Sequence, residues 1–513
     1  MSTTAPSQGP ASSTGEGRLV FRKNRWIDGW DPENTTQWER EGHKIANRNL
    51  GFSVYAEFLG FVVWQLWSIV VVTIGGKVVN GAAVAGWSGF YFTSSEQFWL
   101  ISLPSLVGAT LRFPYAFMIS IMGGRNWTIV SASLLLIPTT AMAFAINNHP
   151  VLSAACAAAS TDPSCYTGGT SHAMMFFIAA LGGFGGGNFA SSMANINFFF
   201  PQRTKGWALG LNAAGGNIGA AVAQFTVPIA ITLTAAKVVA SDGSVTRPVS
   251  NLPIAGWLWI PLIVLAICGA IFGMNNLSNA KSDSKGYVAA LKDWHMWLMS
   301  FLYIGTFGSF IGLAGAFPKL IADQFPNYST IKIGIVGVGL AFLGPLVGSL
   351  ARPYGGRLAD RFGGAYMTVG AFAVMIIATF ASIEVLSLGG GFWAFLACFL
   401  VLFIATGMGN GSMYKMIPTV FAYLAGAKDA RHESAGISTE RKTSAALGIV
   451  AAFGAYGGFF IPQLFSLTQK AKNNVVVEGY KLGLWWLFGS YFVFLIVTVL
   501  FYVIPFARKG TRV

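Results

Sequence analysis

The chain has 513 residues, 54% of them hydrophobic and only 10% charged, against roughly a quarter charged in an average soluble domain. Its formal net charge is +14. Such a composition excludes a water-soluble globular protein. Because the apolar runs approach about 20 residues instead of alternating over about 10, it excludes a membrane β-barrel too.

In chain order, residues 1–50 come first. They open on a Ser/Thr/Pro/Gly-rich segment, expected to be disordered, and lack the apolar core and cleavage site of a signal peptide. A partly ordered stub, WIDGWDPENTTQWEREGHKIANRNL, leads into the first apolar run. Twelve spans are then expected, near 51–74, 98–121, 127–147, 173–200, 206–235, 255–275, 295–317, 333–353, 366–386, 392–422, 445–467 and 483–507. The predicted fold is an all-α polytopic membrane protein of two six-helix bundles, 51–275 and 295–507, joined by a linker at 276–294 and ending in a short tail at 508–513.

Arg22, Lys23, Arg25, Arg203, Lys205, Arg441, Lys442, Arg508 and Lys509 all fall on one side of that topology. By the positive-inside bias this side is cytoplasmic, and both termini with it. The expected location is a cell membrane, with lipids as neighbours. The basic balance then reflects topology, and no nucleic-acid partner is expected. Cys156 and Cys165 share the outer loop between spans three and four, either as a disulfide in an oxidising exterior or as two unpaired small residues. Cys268 and Cys398 lie within spans and read as packing.

An internal repeat runs through the apolar segments. At a shift of 240 residues, Arg112 matches Arg352 and Gly123-Gly124 matches Gly363-Gly364. At a shift of 224, the ladder at Gly183, Gly185 and Gly187 meets Gly407, Gly409 and Gly411. Two halves with corresponding motifs mark a secondary transporter built from repeats. The sequence carries no phosphate-binding P-loop, so coupling is expected from gradients.

The run GGFGGGNFASSMAN in span four is costly for an isolated helix, since each glycine loses about 1 kcal/mol relative to alanine. In lipid, small residues let helices approach to backbone contact. The expected partner is span five, with Gly206, Gly210, Gly215 and Gly219. Asn188, Asn195, Asn197, Asn212 and Asn217 in the same two spans are expected to line a polar cavity.

Two arginines sit at corresponding places within spans. A charged side chain at the bilayer centre costs about 2.5–3.5 kcal/mol on insertion scales. Neither Arg112 nor Arg352 has an acid within two turns of its own helix, and Glu57 is the clear acidic residue in a span. Facing guanidinium groups repel unless an anion lies between them; the alternative is that each snorkels to the interface. Arginine's planar fork suits oxyanions. Phe189, Tyr303 and Phe307 offer flat faces, which favours a planar monoanion.

The stretch Gly356-Arg357-Leu358-Ala359-Asp360-Arg361-Phe362-Gly363-Gly364 resembles the loop of the major facilitator superfamily in which an Asp and an Arg form a charge relay. GNFASSMANINFFFP (187–201), Lys205-Gly206 with Ala208-Leu209-Gly210-Leu211-Asn212, GMGNGS (407–412) and GGFFIP (457–462) together resemble the nitrate/nitrite porter family of that superfamily, closest to the exchangers of enterobacterial type. The resemblance spans about residue 29 to the last span. It implies that Arg112 and Arg352 clasp the anion, that Asn217 and Tyr303 contact it, and that Phe189 and Phe307 sandwich it. Asp360 and Arg361 match the relay. Glu57 and Lys415 depart from the enterobacterial pattern, and both are candidates for coupling or gating.

The resemblance therefore implies a secondary transporter of nitrate and nitrite, monomeric and without a cofactor or metal, and not an enzyme. Exchange of nitrate for nitrite cancels the work against the membrane potential, about 2.3 kcal/mol per charge per 100 mV. It needs no titrating group, which favours antiport. Proton symport through Glu57 is the alternative. A nitrate receptor that does not transport is a further one, disfavoured because no signalling module is attached.

Overall fold

The computed structural model describes residues 19–79, 82–156, 160–235, 250–280, 284–429, 439–469, 471–472, 475–476, 479–508 and 513. The first 18 residues, expected to be disordered, and most of the short C-terminal tail lie outside the described residues.

Among the described residues, twelve long helices cross the molecule. The first half contains α1 (Thr35–Ile74), α2 (Ser94–Met122), α3 (Gly124–Asn147), α4 (His172–Phe199), α5 (Gln202–Leu233) and α6 (Ile254–Gly273). The second contains α7 (Trp294–Gln324), α8 (Leu343–Phe362), α9 (Gly364–Ser387), α10 (Phe392–Leu424), α11 (Ala445–Thr468) and α12 (Tyr480–Ala507). Eleven of them are long and apolar enough to span a bilayer. The exception, α8, carries Arg352, Arg357, Asp360 and Arg361 within 20 residues.

The position of α8 corrects the sequence expectation of a span at 333–353. Residues Ile331–Ile333 and Val336–Val338 instead pair as an antiparallel hairpin around Gly334, whose φ of 62° suits a residue without a Cβ. The apolar run that mimicked a helix is a β-branched ribbon with a glycine turn. Its consequence is functional: Arg352 falls in the middle of its helix instead of at its end.

The chain before α1 is more ordered than a stub. Strand β1 (Val20–Arg22) pairs antiparallel with β2 (Trp26–Asp28), and β2 pairs parallel with β3 (Asn276–Leu277), just after α6. Arg25 Nε donates to the Met274 carbonyl at 2.8 Å. The N-terminal segment is thereby strapped to the start of the linker, which continues as a helix at Ser284–Leu291.

The repeat is visible in the packing. In the first half α2 crosses α4 where a Cβ added at Gly183 would stand 2.7 Å from the Gly108 nitrogen. In the second half α8 crosses α10 with Gly407 against Gly348, at the same two sequence shifts. The glycines of α4 therefore meet α1 and α2, not α5 as expected: Gly185 lies against Gly60, Gly186 against Trp64 and Gly187 against Leu111 and Tyr115. Gly206 and Gly210 have nothing within 4 Å, whereas Gly215, Gly216 and Gly219 press on α1.

The halves meet along α2–α11, α5–α8 and α1–α7. At the end far from the termini they are stitched together. Gln463 Nε2 donates to Ser102 Oγ at 2.7 Å, Gln224 Nε2 to the Ala314 carbonyl at 2.7 Å, and the hydroxyls of Ser95 and Ser466 lie 2.9 Å apart. At the end that carries the N-terminal sheet, two adjoining cavities of about 550 and 890 Å³ open between the halves. Both are lined by Asn197, Gln202, Lys205, Leu209, Tyr414 and Leu447.

Candidate functional site

The larger cavity reaches Arg352, and the smaller reaches Phe189 and Ala451, which contact Arg112. Arg112 on α2 is 1% exposed. Its Nε donates to the Gly186 carbonyl of α4 at 3.1 Å and its Nη1 to the Ala451 carbonyl of α11 at 2.7 Å. Nη2 has no partner among the described residues. A side chain at Gly186 would collide with the Trp64 indole, so its absence lets α4 pack closely on α1 at the level where the Gly186 carbonyl accepts from Arg112. Aromatic faces enclose the rest of the group: the guanidinium carbon lies 4.5 Å from the Phe189 ring centre, 5.3 Å from Phe307 and 5.4 Å from Trp64.

Arg352 on α8 is 6% exposed and lies over the Tyr414 ring at 5.3 Å. Its Nη1 is buried without a partner. Arg352 and Tyr414 line the larger cavity, while Phe189, Tyr414 and Ala451 line the smaller. An aromatic chain joins the two arginines. Phe189 stacks on Phe307 with centroids 6.3 Å apart, Phe307 on Tyr303 at 5.5 Å, and Tyr303 approaches Tyr414 at 6.4 Å. Tyr303 Oη donates to Asn410 Oδ1 at 2.5 Å.

Asn217 on α5 is fully buried, and among the described residues neither its amide nitrogen nor its oxygen has a partner. The Asn410 amide nitrogen is also unpartnered. Buried polar groups are rarely left unpaired, because each costs about 1–3 kcal/mol. Five such atoms lie on four of these residues: Arg112 Nη2, Arg352 Nη1, both amide atoms of Asn217 and the Asn410 amide nitrogen. Four of the five are donors, and both charged members are cations.

Of the other residues singled out in the sequence, Glu57 on α1 is fully buried and accepts from Ser192 Oγ and from Asn212 Nδ2. It lies within electrostatic range of both arginines, so the pocket is less devoid of acid than the neighbours along each helix suggest. Asp360 pairs with Lys415 at 3.1 Å at the cavity mouth, and Arg361 is exposed beside Phe362. Cys156 and Cys165 are joined as a disulfide, Cα atoms 5.9 Å apart. The asparagine expectation divides. Asn197 lines both cavities, but Asn188 accepts from Ser131 at 2.9 Å and ties α4 to α3, and Asn195 lies against Gly124.

Sequence reasoning missed Trp64, Asn410 and Tyr414 as neighbours of the arginines. A signal existed for two of them: Asn410 and Tyr414 are four apart in GNGSMYK, on one helical face. Trp64 sits in an apolar run and carried none.

Two pseudo-symmetric sets of six helices around a buried polar site give the chain the fold of the major facilitator transporters. Solved structures support the fold. The xylose transporter XylE from E. coli, in a partially occluded inward-open conformation, superposes with a TM-score of 0.58 at 12% identity, covering 89% of this chain and 98% of that one. A bacterial homologue of the lysosomal transporter Spinster gives 0.55 at 15% identity, covering 90% and 96%. No family model matches the chain. Among relatives, the nitrate/nitrite transporter NarU of Escherichia coli (strain K12) is 38% identical over 457 residues, 87% of this chain and 90% of that protein. The probable nitrate/nitrite antiporter NarK2 of Thermus thermophilus is 30% identical over 483 residues, 92% and 96%. The chain belongs to this nitrate/nitrite transporter family; it is a transporter and not an enzyme.

Proposed function

We propose that the protein carries nitrate and nitrite across a bacterial cytoplasmic membrane as an antiporter, holding one planar monoanion between Arg112 and Arg352. The observation that carries this reading is the pair of mid-membrane guanidinium groups, one from each half, each with a buried nitrogen that lacks a partner. The unpaired nitrogens are the donors that a nitrate or nitrite oxygen accepts from. Phe189 and Phe307 bound the same space with π-faces, which suit a flat ion of low hydration, and Asn217 and Tyr303 add polar contacts. The names of the relatives, nitrate/nitrite transporter and antiporter, support the substrate and the mode.

Alternating access follows from the seams. The halves are bonded at one end and open at the other. The basic end is cytoplasmic by the positive-inside rule, with both termini, so the conformation faces inward. Rocking about the α2–α11 seam, where Arg112 bonds the Ala451 carbonyl across the halves, closes the cavity around the ion. An empty site leaves two like charges facing in a confined space, which resists closure and ties each crossing to a bound anion. The protein acts as a monomer, since each chain holds both arginines.

Counterflow tests the reading. Liposomes loaded with nitrite take up labelled nitrate, whereas empty liposomes do not. Uptake into empty liposomes at the same rate would overturn antiport. Binding without any exchange would overturn transport in favour of a receptor.

A further inference from the structure

Three arginines close on the end of α6, where the chain turns into the linker. Arg25 Nε donates to the Met274 carbonyl at 2.8 Å and its Nη2 to the Gly273 carbonyl at 3.4 Å. Arg125, at the start of α3, gives Nε and Nη2 to the Ile271 carbonyl at 3.1 and 2.9 Å. Arg48 of α1 donates Nη2 to Asn275 Oδ1 at 2.8 Å. Asn24 and Arg25 make the tight bend between β1 and β2 with left-handed backbones, φ 57° and 59°, which residues with a Cβ adopt uncommonly.

The stretch from Ile271 to Asn275 thus carries three guanidinium groups. Arg25 lies within electrostatic range of both Arg48 and Arg125, and like charges this close repel. The C-terminus of α6 offsets only part of that charge, since a helix dipole is worth about half an elementary charge. Among the described residues none of the three is ion-paired, and Asp28, the acid closest to Arg25 along the chain, is held by Arg22. Nor are their donors used up. Arg48 is exposed and makes one hydrogen bond among the described residues, which leaves Nε and Nη1 to give.

Apolar surface begins beside this cluster. Of the first-half spans, α6 buries the smallest share of its surface inside the protein. Phe272, between two of the residues that the arginines grip, is exposed, and so is Leu265, seven residues earlier on the same helical face. Ile121 at the end of α2 and Val20 and Phe21 of β1 are exposed as well. Unpaired cations next to bare hydrocarbon match a molecule with an anionic head and apolar tails. Basic pockets between spans on the cytoplasmic side take phospholipid headgroups for this reason.

We infer that the end of α6 is a binding site for an anionic phospholipid, with Arg25, Arg48 and Arg125 on its phosphate and its acyl chains along Phe272 and Leu265. The phosphate oxygens accept charge-assisted hydrogen bonds from the guanidinium groups. The bound lipid relieves the repulsion among three side chains that tie the N-terminal strap, α1 and α3 to α6. It braces the first half outside the anion clamp, and the site is independent of which ion the protein carries.

Full-length protein, delipidated in an uncharged detergent, is followed by thermal unfolding as phosphatidylglycerol, phosphatidylcholine or inorganic phosphate is added. Phosphatidylglycerol raises Tm saturably in wild type; phosphatidylcholine and inorganic phosphate do not. Arg48→Gln weakens the apparent affinity for phosphatidylglycerol by about fivefold, the effect of one basic residue near an anionic surface. Arg508→Gln removes an exposed charge from the second half and leaves that affinity unchanged. Equal stabilisation by both lipids would reduce the arginines to caps on α6 and overturns the site. Stabilisation by inorganic phosphate as large as that by phosphatidylglycerol overturns it in favour of a free anion. Wild-type affinity in Arg48→Gln, or equal weakening in both variants, overturns it in favour of surface charge at large. The wild-type comparison decides between lipid and cap even if Arg48→Gln fails to fold.

Discussion

The two arginines occupy equivalent places in the repeat but are held in opposite ways. Arg112 spends two of its nitrogens on backbone carbonyls, one in its own half and one across the seam, and three rings enclose it. Arg352 rests on a single ring and lines the open cavity. Arg112 is pinned by the backbone of both halves, whereas Arg352 has fewer contacts. In the proposed clasp this asymmetry lets the pinned arginine keep the geometry while the other answers the ion.

The largest expected effect tests that difference. Arg112→Lys and Arg352→Lys each lower nitrate/nitrite counterflow by at least about 100-fold, near 3 kcal/mol, because an ammonium lacks the planar fork. Stability separates them. Arg112→Lys also loses two buried bonds to carbonyls and lowers the unfolding free energy by about 1–3 kcal/mol, whereas Arg352→Lys changes it by less than about 1 kcal/mol. Thermal unfolding in detergent reads both. Equal losses would mean that Arg112 is not a pin.

Next come the crossings that place the arginines. Gly183→Ala and Gly407→Ala insert a methyl against the facing backbone of α2 and α8 respectively, and each costs about 1–3 kcal/mol through overpacking. Gly210→Ala, with nothing within 4 Å, is neutral or stabilises by up to about 1 kcal/mol. Destabilisation at 183 without destabilisation at 407 would show that the repeat is not mechanical.

These glycines also show how far the sequence could be read. That α4 needs close approach was legible from Gly183, Gly185 and Gly187, since small residues have one main use in lipid. Which helix approaches was not legible, because small-residue spacing is the same whatever the partner, and α1 and α2 took the place assigned to α5. The arginines were legible for the opposite reason: a charge in hydrocarbon is too costly to be incidental. Their corresponding positions matched the repeat, and the aromatics Phe189, Phe307 and Tyr303 form one stack beside Arg112. The limits of α8 were misread because Ile331–Val338 is apolar in either conformation; only its alternation with glycine favours a ribbon. Glu57's proximity to both arginines was invisible, since it arises from α1 crossing α4 and α5 and from no spacing along the chain.

A smaller effect is expected inside the aromatic chain. Tyr303→Phe removes the hydroxyl that bonds Asn410 and leaves the Asn410 oxygen unsatisfied beside an amide nitrogen that already lacks a partner. The loss is about 1 kcal/mol, or roughly fivefold in nitrate affinity, with the stacking on Phe307 retained. A change as large as that of Arg352→Lys would make Tyr303 a direct clasp of the ion.

The smallest contrast lies at the basic end of the second half, between two lysine–aspartate pairs. Asp360 and Lys415 are about half exposed, at 55% and 48%, so breaking their pair costs about 0–1 kcal/mol and less in high salt. Asp293, which caps α7, is largely enclosed: it accepts from Lys442 Nζ at 2.6 Å and from the His295 amide at 3.0 Å. Burial raises its pKa, but the Lys442 ammonium and the amide outweigh it, so the net shift is downward. A carboxyl depressed in the folded state stabilises above its unfolded pKa, near 4, and that contribution disappears as pH falls through the lower folded value. Unfolding followed from neutral pH to about pH 3 therefore shows wild type losing stability relative to Asp293→Asn, the two curves converging at the acid end. Should Asp293→Asn leave the acid limb unchanged, the enclosed pair would not be the one that holds this end of the bundle.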